Sequence, residues 1–356
     1  MKELHQEFRM EAPIRVLMIT SEWPTEKSPF AVPFLVQQVD FLRRAGADVD
    51  VFFFRGAKNP LNYVKAWCRL QWEYRSKWKQ YDLIHAQFGQ AALIPWPKKL
   101  PLVITFHGVD MLGQLSDTGQ MTWRGKLLVW LGRLAARFAD AVIIVSNEMR
   151  QNLPKSMTLH MLPTGVDLAS LPELSKDEAR RQLSLPADER LVLFVGNPKD
   201  PLKRYDRARE AIDALNRRLP VTLVLGWNKP HGDIIKMMHA CDALIVTSLQ
   251  EGSPTIVKEA LACNLGIASV IVGDVVERLA GIEGCEVAAD HAPETIAAAL
   301  EKVLLHGGRV KGREAIQELD ERVITDKLMR IYRGVTRHGR PTYQLSDRPF
   351  VSTERR

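Results

Sequence analysis

The 356-residue chain predicts an α/β protein built from two doubly wound parallel-sheet domains. Three observations lead there. The length exceeds what one core usually organises, so two domains are expected. Short apolar runs of strand length alternate with amphipathic helical stretches almost throughout. Several of those runs empty into polar loops that open a helix, which is the ligand-binding edge of an open parallel sheet.

The elements follow in order. Arg15 to Thr20 is a first strand, and Phe34 to Ala45 a helix ended by Gly46. Val49 to Phe54, Leu83 to Ala86, Leu102 to Phe106 and Ala141 to Val145 are four more strands. Met157 to Leu162 closes the first sheet, and 163–172 reads as a linker. A second sheet takes Leu191 to Val195, Val221 to Leu225, Ala243 to Thr247 and Ile267 to Val270. Helices at Pro293 to Leu305 and Asp320 to Gly334 end the folded part, and the polar, basic tail from Thr336 to Arg356 is expected to be disordered. The domains are accordingly 1–165 and 166–319.

Composition narrows the function. Apolar residues make up 46% and charged residues 26%, ordinary for a globular protein with material for two cores. Cys68, Cys241, Cys263 and Cys285 show neither paired nor metal-like spacing and read as reduced packing residues. No apolar run is long enough to span a bilayer and residues 1–13 have no signal core, so a cytoplasmic protein is expected. Of the net charge of +7, residues 1–170 hold 21 Lys+Arg against 15 Asp+Glu, a balance of +6, leaving +1 for the rest. Much of it lies in two basic, tryptophan-bearing helical stretches, Leu61 to Gln80 and Trp123 to Phe138. These either lie peripherally on an anionic membrane or are surface helices whose tryptophans face the core, and the second reading is preferred. No nucleic-acid module, G-x-G-x-x-G or Walker A is present, which leaves nucleic acid and a dinucleotide dehydrogenase without support.

The most informative segment is Glu251-Gly252-Ser253-Pro254-Thr255-Ile256-Val257-Lys258-Glu259. Ser253 suits an N-cap, Pro254 the first helical position, and 255–264 continues in helix-compatible residues. A diphosphate could rest on the amides of Thr255 and Ile256, because a helix N-terminus offers unpaired donors and a positive dipole end. Pro254 to Glu259 spans about 8 Å, comparable with the reach from a diphosphate to a ribose. One carboxylate could then hold sugar hydroxyls and the other ribose hydroxyls. The plain alternative is a solvated helix with two incidental glutamates.

Two further loops carry candidates. Gly196-Asn197-Pro-Lys-Asp-Pro-Leu-Lys203-Arg204 follows the first strand of the second domain, and Lys203 and Arg204 could neutralise a leaving diphosphate. Thr105-Phe-His107-Gly-Val-Asp110 follows a first-domain strand. There a neutral His107 could hydrogen-bond a ligand at that edge, and Asp110 could fix the loop.

The run from Cys241 through Glu259 resembles the donor-binding signature of retaining glycosyltransferases of family 4, whose GT-B fold sets two Rossmann-like domains across a cleft. The resemblance covers about residues 14 to 335 and is most specific in the second domain. It implies a nucleotide-sugar co-substrate with no cofactor, metal-independent transfer with retention, and a last helix that crosses back to the first domain. By position, it assigns His107, Glu251, Lys203 and Arg204 to the reaction. The donor falls to Glu259, Gly252 to Ile256, Gly196 and Asn197, and the acceptor side to Asp110, Phe30 and Ser146. The chain departs from the family where Asn197 replaces an arginine, Arg204 a glycine, 31–33 adjacent glycines, and Thr164 an asparagine. The acidic pair Asp48-Val-Asp50 spells a metal motif of other glycosyltransferases, but it begins a strand with no other acid near and is a false match. A nucleotide-sugar epimerase and a non-catalytic sugar-nucleotide binder are the rival readings; the acceptor is open.

Overall fold

The structure is a computed structural model that describes residues 13–56, 59–116 and 119–338. Its first sheet holds β1 (Arg15–Thr20), β2 (Asp48–Phe53), β3 (Leu83–Gln87), β4 (Leu102–Phe106), β5 (Ala141–Ile144) and β6 (Leu159–Met161), in the order β2-β1-β3-β4-β5-β6. The second holds β7 (Leu191–Val195), β8 (Thr222–Gly226), β9 (Ala243–Val246), β10 (Gly266–Val270) and β11 (Glu286–Ala288), in the order β11-β10-β9-β7-β8. Every pairing between these strands is parallel. Central strands such as β3, β4, β9 and β10 are buried along their whole length, which is why they stand out as apolar runs. Strand β11 was not expected: three residues, two of them half-buried, offer no pattern to read.

Helices cover both faces. The first sheet has α1 (Pro33–Arg44), α2 (Pro60–Glu73), α3 (Val109–Leu112) and α4 (Trp123–Phe138). The second has α5 (Lys176–Gln182), α6 (Tyr205–Leu215), α7 (His231–Ala240), α8 (Thr255–Ala262), α9 (Val275–Leu279), α10 (Pro293–His306) and α11 (Gly312–Ala315), followed by α12 (Glu321–His338). Their starts obey local chemistry. Asn59 and Thr122 accept backbone N–H bonds at the heads of α2 and α4, and Pro60 and Pro293 occupy first-turn positions that need no N–H.

The chain passes between the sheets twice, and the two passages are paired. Val166 forms a parallel bridge with Asp320, its N–H donating to Leu319 O at 2.9 Å while Glu321 N–H donates to Val166 O at 2.9 Å. Helix α12 then packs on α1 and β3, burying Ile324, Leu328, Met329 and Tyr332 at three- and four-residue spacing. The Tyr332 hydroxyl sits 2.6 Å from His85 Nδ1 inside the first sheet's core. Helix α12 runs on to His338, so residues 336–338, expected in the disordered tail, are helical. Thr336 Oγ1 there donates to Tyr332 O at 3.0 Å. The rest of that tail, and residues 1–12, lie outside the described residues.

The tryptophan-bearing helices correct an expectation. Trp78 faces the core, but Trp67 and Trp72 on α2 and Trp123 and Trp130 on α4 face solvent. The inward faces are instead made of Ala66 and Leu70, and of Gly125, Val129, Gly132, Ala135 and Ala136. There is no room for an indole beneath α4: a Cβ on Gly125 would lie 2.4 Å from Gln114 N, and one on Gly132 2.8 Å from Asp110 O.

Candidate active site

The strand order of the second sheet reverses between β7 and β9, and loops leaving such a point diverge to form a crevice. The loop after β7 carries 196–204 and the loop after β9 carries 250–254. Thr247 Oγ1, at the end of β9, joins the two, lying 3.0 and 2.9 Å from the carbonyl oxygens of Lys203 and Arg204. Across the gap Lys203 Nζ donates to Glu251 Oε1 at 2.5 Å. The Lys203 stem lies over Gly196, where a Cβ would come within 3.3 Å of Lys203 Cγ. Topology thus brings together two charges 48 positions apart in sequence.

Arg204 behaves differently. It stands at the head of α6 with φ 50, and its guanidinium forks onto Asp206 at 3.0 and 2.8 Å. The structure therefore does not set it beside Lys203 facing Glu251. Asn197 Oδ1 is used within its own loop, accepting from Lys199 N at 3.0 Å.

The expected Ser253 cap is overturned. Pro254 occupies the N-cap of α8 and offers no side-chain acceptor, while Ser253 Oγ donates to Asp274 Oδ2 at 2.8 Å. The cause is the neighbouring loop. Gly273, at φ 54, approaches so closely that a Cβ there would lie 2.7 Å from Gly252 O, and this places the Asp274 carboxylate over Ser253. The amides of Thr255 and Ile256 still precede the first helical donor, Val257, whose N–H goes to Pro254 O at 3.2 Å. Helix α8 ends at Ala262, two residues earlier than expected, and 257–262 are all buried, so it is not a solvated surface helix. Glu259, buried, accepts from His231 Nε2 at 2.8 Å, and this carboxylate raises the imidazole's pKa. The two glutamates are thus engaged separately, Glu251 by Lys203 and Glu259 by His231.

The first domain contributes the end of β4. Asp110 is buried and accepts N–H bonds from His107, Gly108 and Gly89 at about 3 Å, binding the loop after β4 to the loop after β3. Burial still raises its pKa, against those bonds. His107 Nε2 lies 2.7 Å from Gln87 Oε1, and the Gln87 amide nitrogen donates to Gln38 Oε1 at 3.0 Å. That network puts the imidazole proton on Nε2 and leaves Nδ1 as an acceptor. The ring lies against Phe34 and Phe88. Burial, with the Lys258 ammonium adding to it, lowers its pKa to about 3, so His107 is neutral at physiological pH.

Two glycines join the lobes. A Cβ on Gly252 would lie 2.0 Å from His107 O and 3.0 Å from Met149 Cε, and one on Gly108 would lie 3.5 Å from Gly252 N. The Glu251 loop and the His107 segment therefore meet backbone to backbone. Near this junction Ser146 Oγ is buried without a hydrogen-bond partner, while Phe30 is exposed on the loop after β1.

Lys258 was not singled out from sequence. It is fully buried on α8 and donates to the carbonyl and hydroxyl oxygens of Thr164 at 2.8 and 2.7 Å, tying the donor-side helix to the interlobe passage. Burial lowers its pKa to about 8, with Asp274, Glu259 and Glu321 pulling the other way. Glu321 faces the same passage at Gly165, where a Cβ would lie 2.3 Å from Glu321 Oε2, and burial lifts its carboxyl to about 7. Gln87 and His85 were missed as well. Their signal was present, two polar residues at i and i+2 on one face of an otherwise apolar strand. Glu22, on the loop after β1, has its pKa raised by burial and by Asp110. The described residues contain no group of three or more His, Cys, Asp and Glu side chains placed to hold a metal ion.

Two Rossmann-like lobes, joined at the end of a first-domain strand and bearing a Lys–Glu pair at the second domain's switch point, define a GT-B glycosyltransferase. Residues 2–170 match the model of Glycosyltransferase Family 4, and residues 178–306 that of Glycosyl transferases group 1. The chain belongs to glycosyltransferase family 4. It is 24% identical over 328 residues to TuaC of Bacillus subtilis (strain 168), which carries a provisional assignment as a teichuronic acid biosynthesis glycosyltransferase; the match covers 74% of this chain and 82% of TuaC. It is 25% identical over 284 residues to the D-inositol 3-phosphate glycosyltransferase of Actinosynnema mirum, covering 67% and 68%. Among solved structures, sucrose-phosphate synthase from Thermosynechococcus elongatus superposes with a TM-score of 0.71 at 19% identity, over 90% of this chain and 98% of that one. Anabaena HepE in complex with UDP and glucose superposes at 0.65 and 18%, over 89% and 99%. These two likenesses show the shared fold.

Proposed function

We propose that the protein moves a sugar from a nucleotide-sugar donor to a saccharide, lipid-linked or small-molecule acceptor, with retention, in polysaccharide or glycoconjugate biosynthesis. One observation carries this reading: the Lys203–Glu251 pair at the switch point lies in the loop whose Gly252 is pressed against His107. The proposed domains are 1–165, for the acceptor, and 166–319, for the donor, with α12 returning to the first. The solved HepE complexes with UDP and UDP-glucose make uridine donors the first to try. The biosynthetic context is carried over from TuaC, and the four free cysteines, two of them buried, suit a reducing cytoplasm.

The roles follow the charge. Glu259 exchanges His231 for the ribose hydroxyls. Lys203 and the amides of Thr255 and Ile256 take the diphosphate, which the loops at Gly196–Asn197 and Gly252–Pro254 border. Glu251 then turns to donor hydroxyls, and Arg204 serves as a second cation only by releasing Asp206. The neutral His107 offers Nδ1 as an acceptor at the reacting end, Asp110 holds its loop, and Phe30 and Ser146 lie on the acceptor side. During transfer the anomeric C–O bond to the diphosphate breaks, and the acceptor oxygen bonds the same carbon on the same face. Its proton passes to a departing phosphate oxygen. Lys203 and the amides stabilise the negative charge that develops there, without a metal.

The test begins with thermal stabilisation by a panel of nucleotide-sugars, since a ligand of the folded state alone raises Tm. It continues with donor turnover, with and without acceptor, in wild type, Lys203→Ala and Glu251→Ala. Loss of transfer in both variants is expected, and product without acceptor would favour an epimerase. No stabilising nucleotide-sugar, or wild-type rates in both variants, would overturn the proposal.

A further inference from the structure

One broad face of the first domain is covered by nothing in the described chain. Along α2 the outward residues Leu61, Val64, Cys68 and Trp72 follow at three- and four-residue steps, opposite the inward Ala66 and Leu70. Along α4, Trp123, Leu127 and Trp130 do the same, and Phe138 lies two turns further along that side. Trp96 joins the two stripes. Its carbonyl accepts from Trp67 Nε1 at 2.6 Å and Gln71 Nε2 at 3.2 Å, and its ring lies 4.7 Å from that of Phe138. Five of the chain's eight tryptophans therefore share this face, with Trp72 84%, Trp123 70% and Trp130 58% exposed. Contiguous aromatic exposure on this scale marks an interaction surface.

The charges around it select the partner. Helix α4 carries Arg124, Lys126, Arg133 and Arg137 and no acidic residue. Helix α2 adds Lys65 and Arg69 against Glu73, and Lys98 and Lys99 follow Trp96. Lys65, Arg124, Lys126 and Arg137 have no carboxylate partner among the described residues, and Arg124 lies over the Trp123 ring at 5.4 Å. Indole rings framed by unpaired cations match the headgroup layer of a bilayer, where the rings sit at the polar–apolar boundary and the cations meet lipid phosphates.

We infer that this face docks on an anionic membrane surface, with Trp72, Trp123 and Trp130 entering the headgroup layer and Lys65, Arg124, Lys126 and Arg137 on the phosphates. No helix among the described residues is long and apolar enough to cross a membrane, so the association is peripheral. The docked face is mechanically close to the site. The inner side of α4 packs on the Asp110 segment, with Gly132 closing onto Asp110 O, so docking holds the His107 loop near the lipid surface. An acceptor borne on a lipid would reach the protein there. That last step rests on the transferase reading, whereas the docking does not.

Flotation of the full chain with vesicles tests it, in the absence of donor and acceptor, so that the result stands whatever the reaction proves to be. Wild type is expected to float with vesicles of phosphatidylcholine and phosphatidylglycerol in equal parts, to stay behind with phosphatidylcholine alone, and to release as salt is raised. The W72S/W123S/W130S variant should lose about tenfold or more of the binding. The K65Q/R124Q/K126Q/R137Q variant should lose about fivefold per cation. Circular dichroism and Tm confirm that both variants fold. Failure of wild type to bind the anionic vesicles, or undiminished binding by the tryptophan variant, overturns the inference. So does a wild-type dimer that becomes monomeric in the tryptophan variant, since a second copy would then be the occupant.

Discussion

Gly252→Ala adds a single methyl at the point where the two lobes touch. Its Cβ would lie 2.0 Å from His107 O, 2.8 Å from His107 C and 3.0 Å from Met149 Cε. A carbon and a carbonyl oxygen come no closer than about 3 Å without repulsion, so about 1 Å must be found. Neither neighbour yields easily, because His107 O belongs to a loop whose His107 and Gly108 N–H groups bond the buried Asp110, itself tied to Gly89 N–H of the neighbouring loop, and Met149 is buried. The displacement therefore falls on the junction itself, opening the Glu251 loop away from His107 by about that distance. A shift of that size between reacting groups costs on the order of a hundredfold in rate. Each lobe keeps its own core, so Tm should fall only modestly, by what about 1–3 kcal/mol of overpacking implies. The control is Gly334→Ala on α12, where the same methyl meets nothing within 4 Å and should stabilise by roughly 0.5–1 kcal/mol without touching rate. Initial transfer rates and thermal denaturation of both variants decide the matter. Wild-type transfer by Gly252→Ala would refute the claim that the lobes meet through this backbone contact.

Other outcomes follow from the same geometry. Lys203→Ala should reduce transfer by on the order of a hundredfold or more, as loss of a charge-stabilising donor does. Arg204→Ala should cost less, because its guanidinium already serves Asp206; equal rates for the two variants would count against that ranking. Glu259→Ala should weaken donor binding with little effect on the rate at saturating donor, read from the split between KM and kcat. For pH, His85 and His107 fold with pKa values lowered to about 3 from 6.5, so the stability they contribute is complete above pH 6.5 and is lost as pH falls towards 3, at about 1.4 kcal/mol per pH unit for each. Glu321, raised to about 7 from 4.5, acts oppositely: between those values the folded state binds the extra proton, so acidification stabilises and offsets about one imidazole. Urea unfolding from pH 6.5 to 4.5 should therefore show falling stability, and Glu321→Gln should steepen it; a flat profile in wild type would contradict this balance.

The parts of the site that sequence revealed were those written in local chemistry. The Gly196 and His107 loops could be found because each follows an apolar strand and breaks into polar residues beside glycine. The segment from Glu251 to Glu259 could be found because a proline and two carboxylates punctuate an apolar helix. Lys258 lay inside that same segment and was passed over, since a lysine in a helix is ordinarily solvated. Only the passage through Thr164 and Glu321, distant in sequence, gives its ammonium a buried setting. The tryptophans of α2 and α4 misled for a related reason. Both faces of these helices carry apolar side chains, so periodicity could not tell which one met the sheet, and the small residues of the inner face carried no weight in a hydrophobic pattern.

The amino-acid sequence by itself determined two α/β units, ten of the eleven strands among the described residues and the loops that bear charge, because strand period, turn residues and helix starts are properties of neighbours along the chain. Tertiary structure decided what those loops face. The pairing of Lys203 with Glu251, the seating of Gly252 on His107, the turn of Arg204 to Asp206 and the outward tryptophans all depend on strand order and on contacts between residues far apart in sequence. No local signal encodes such contacts, because the free energy that fixes them arises only when both partners are already held in place by their own cores.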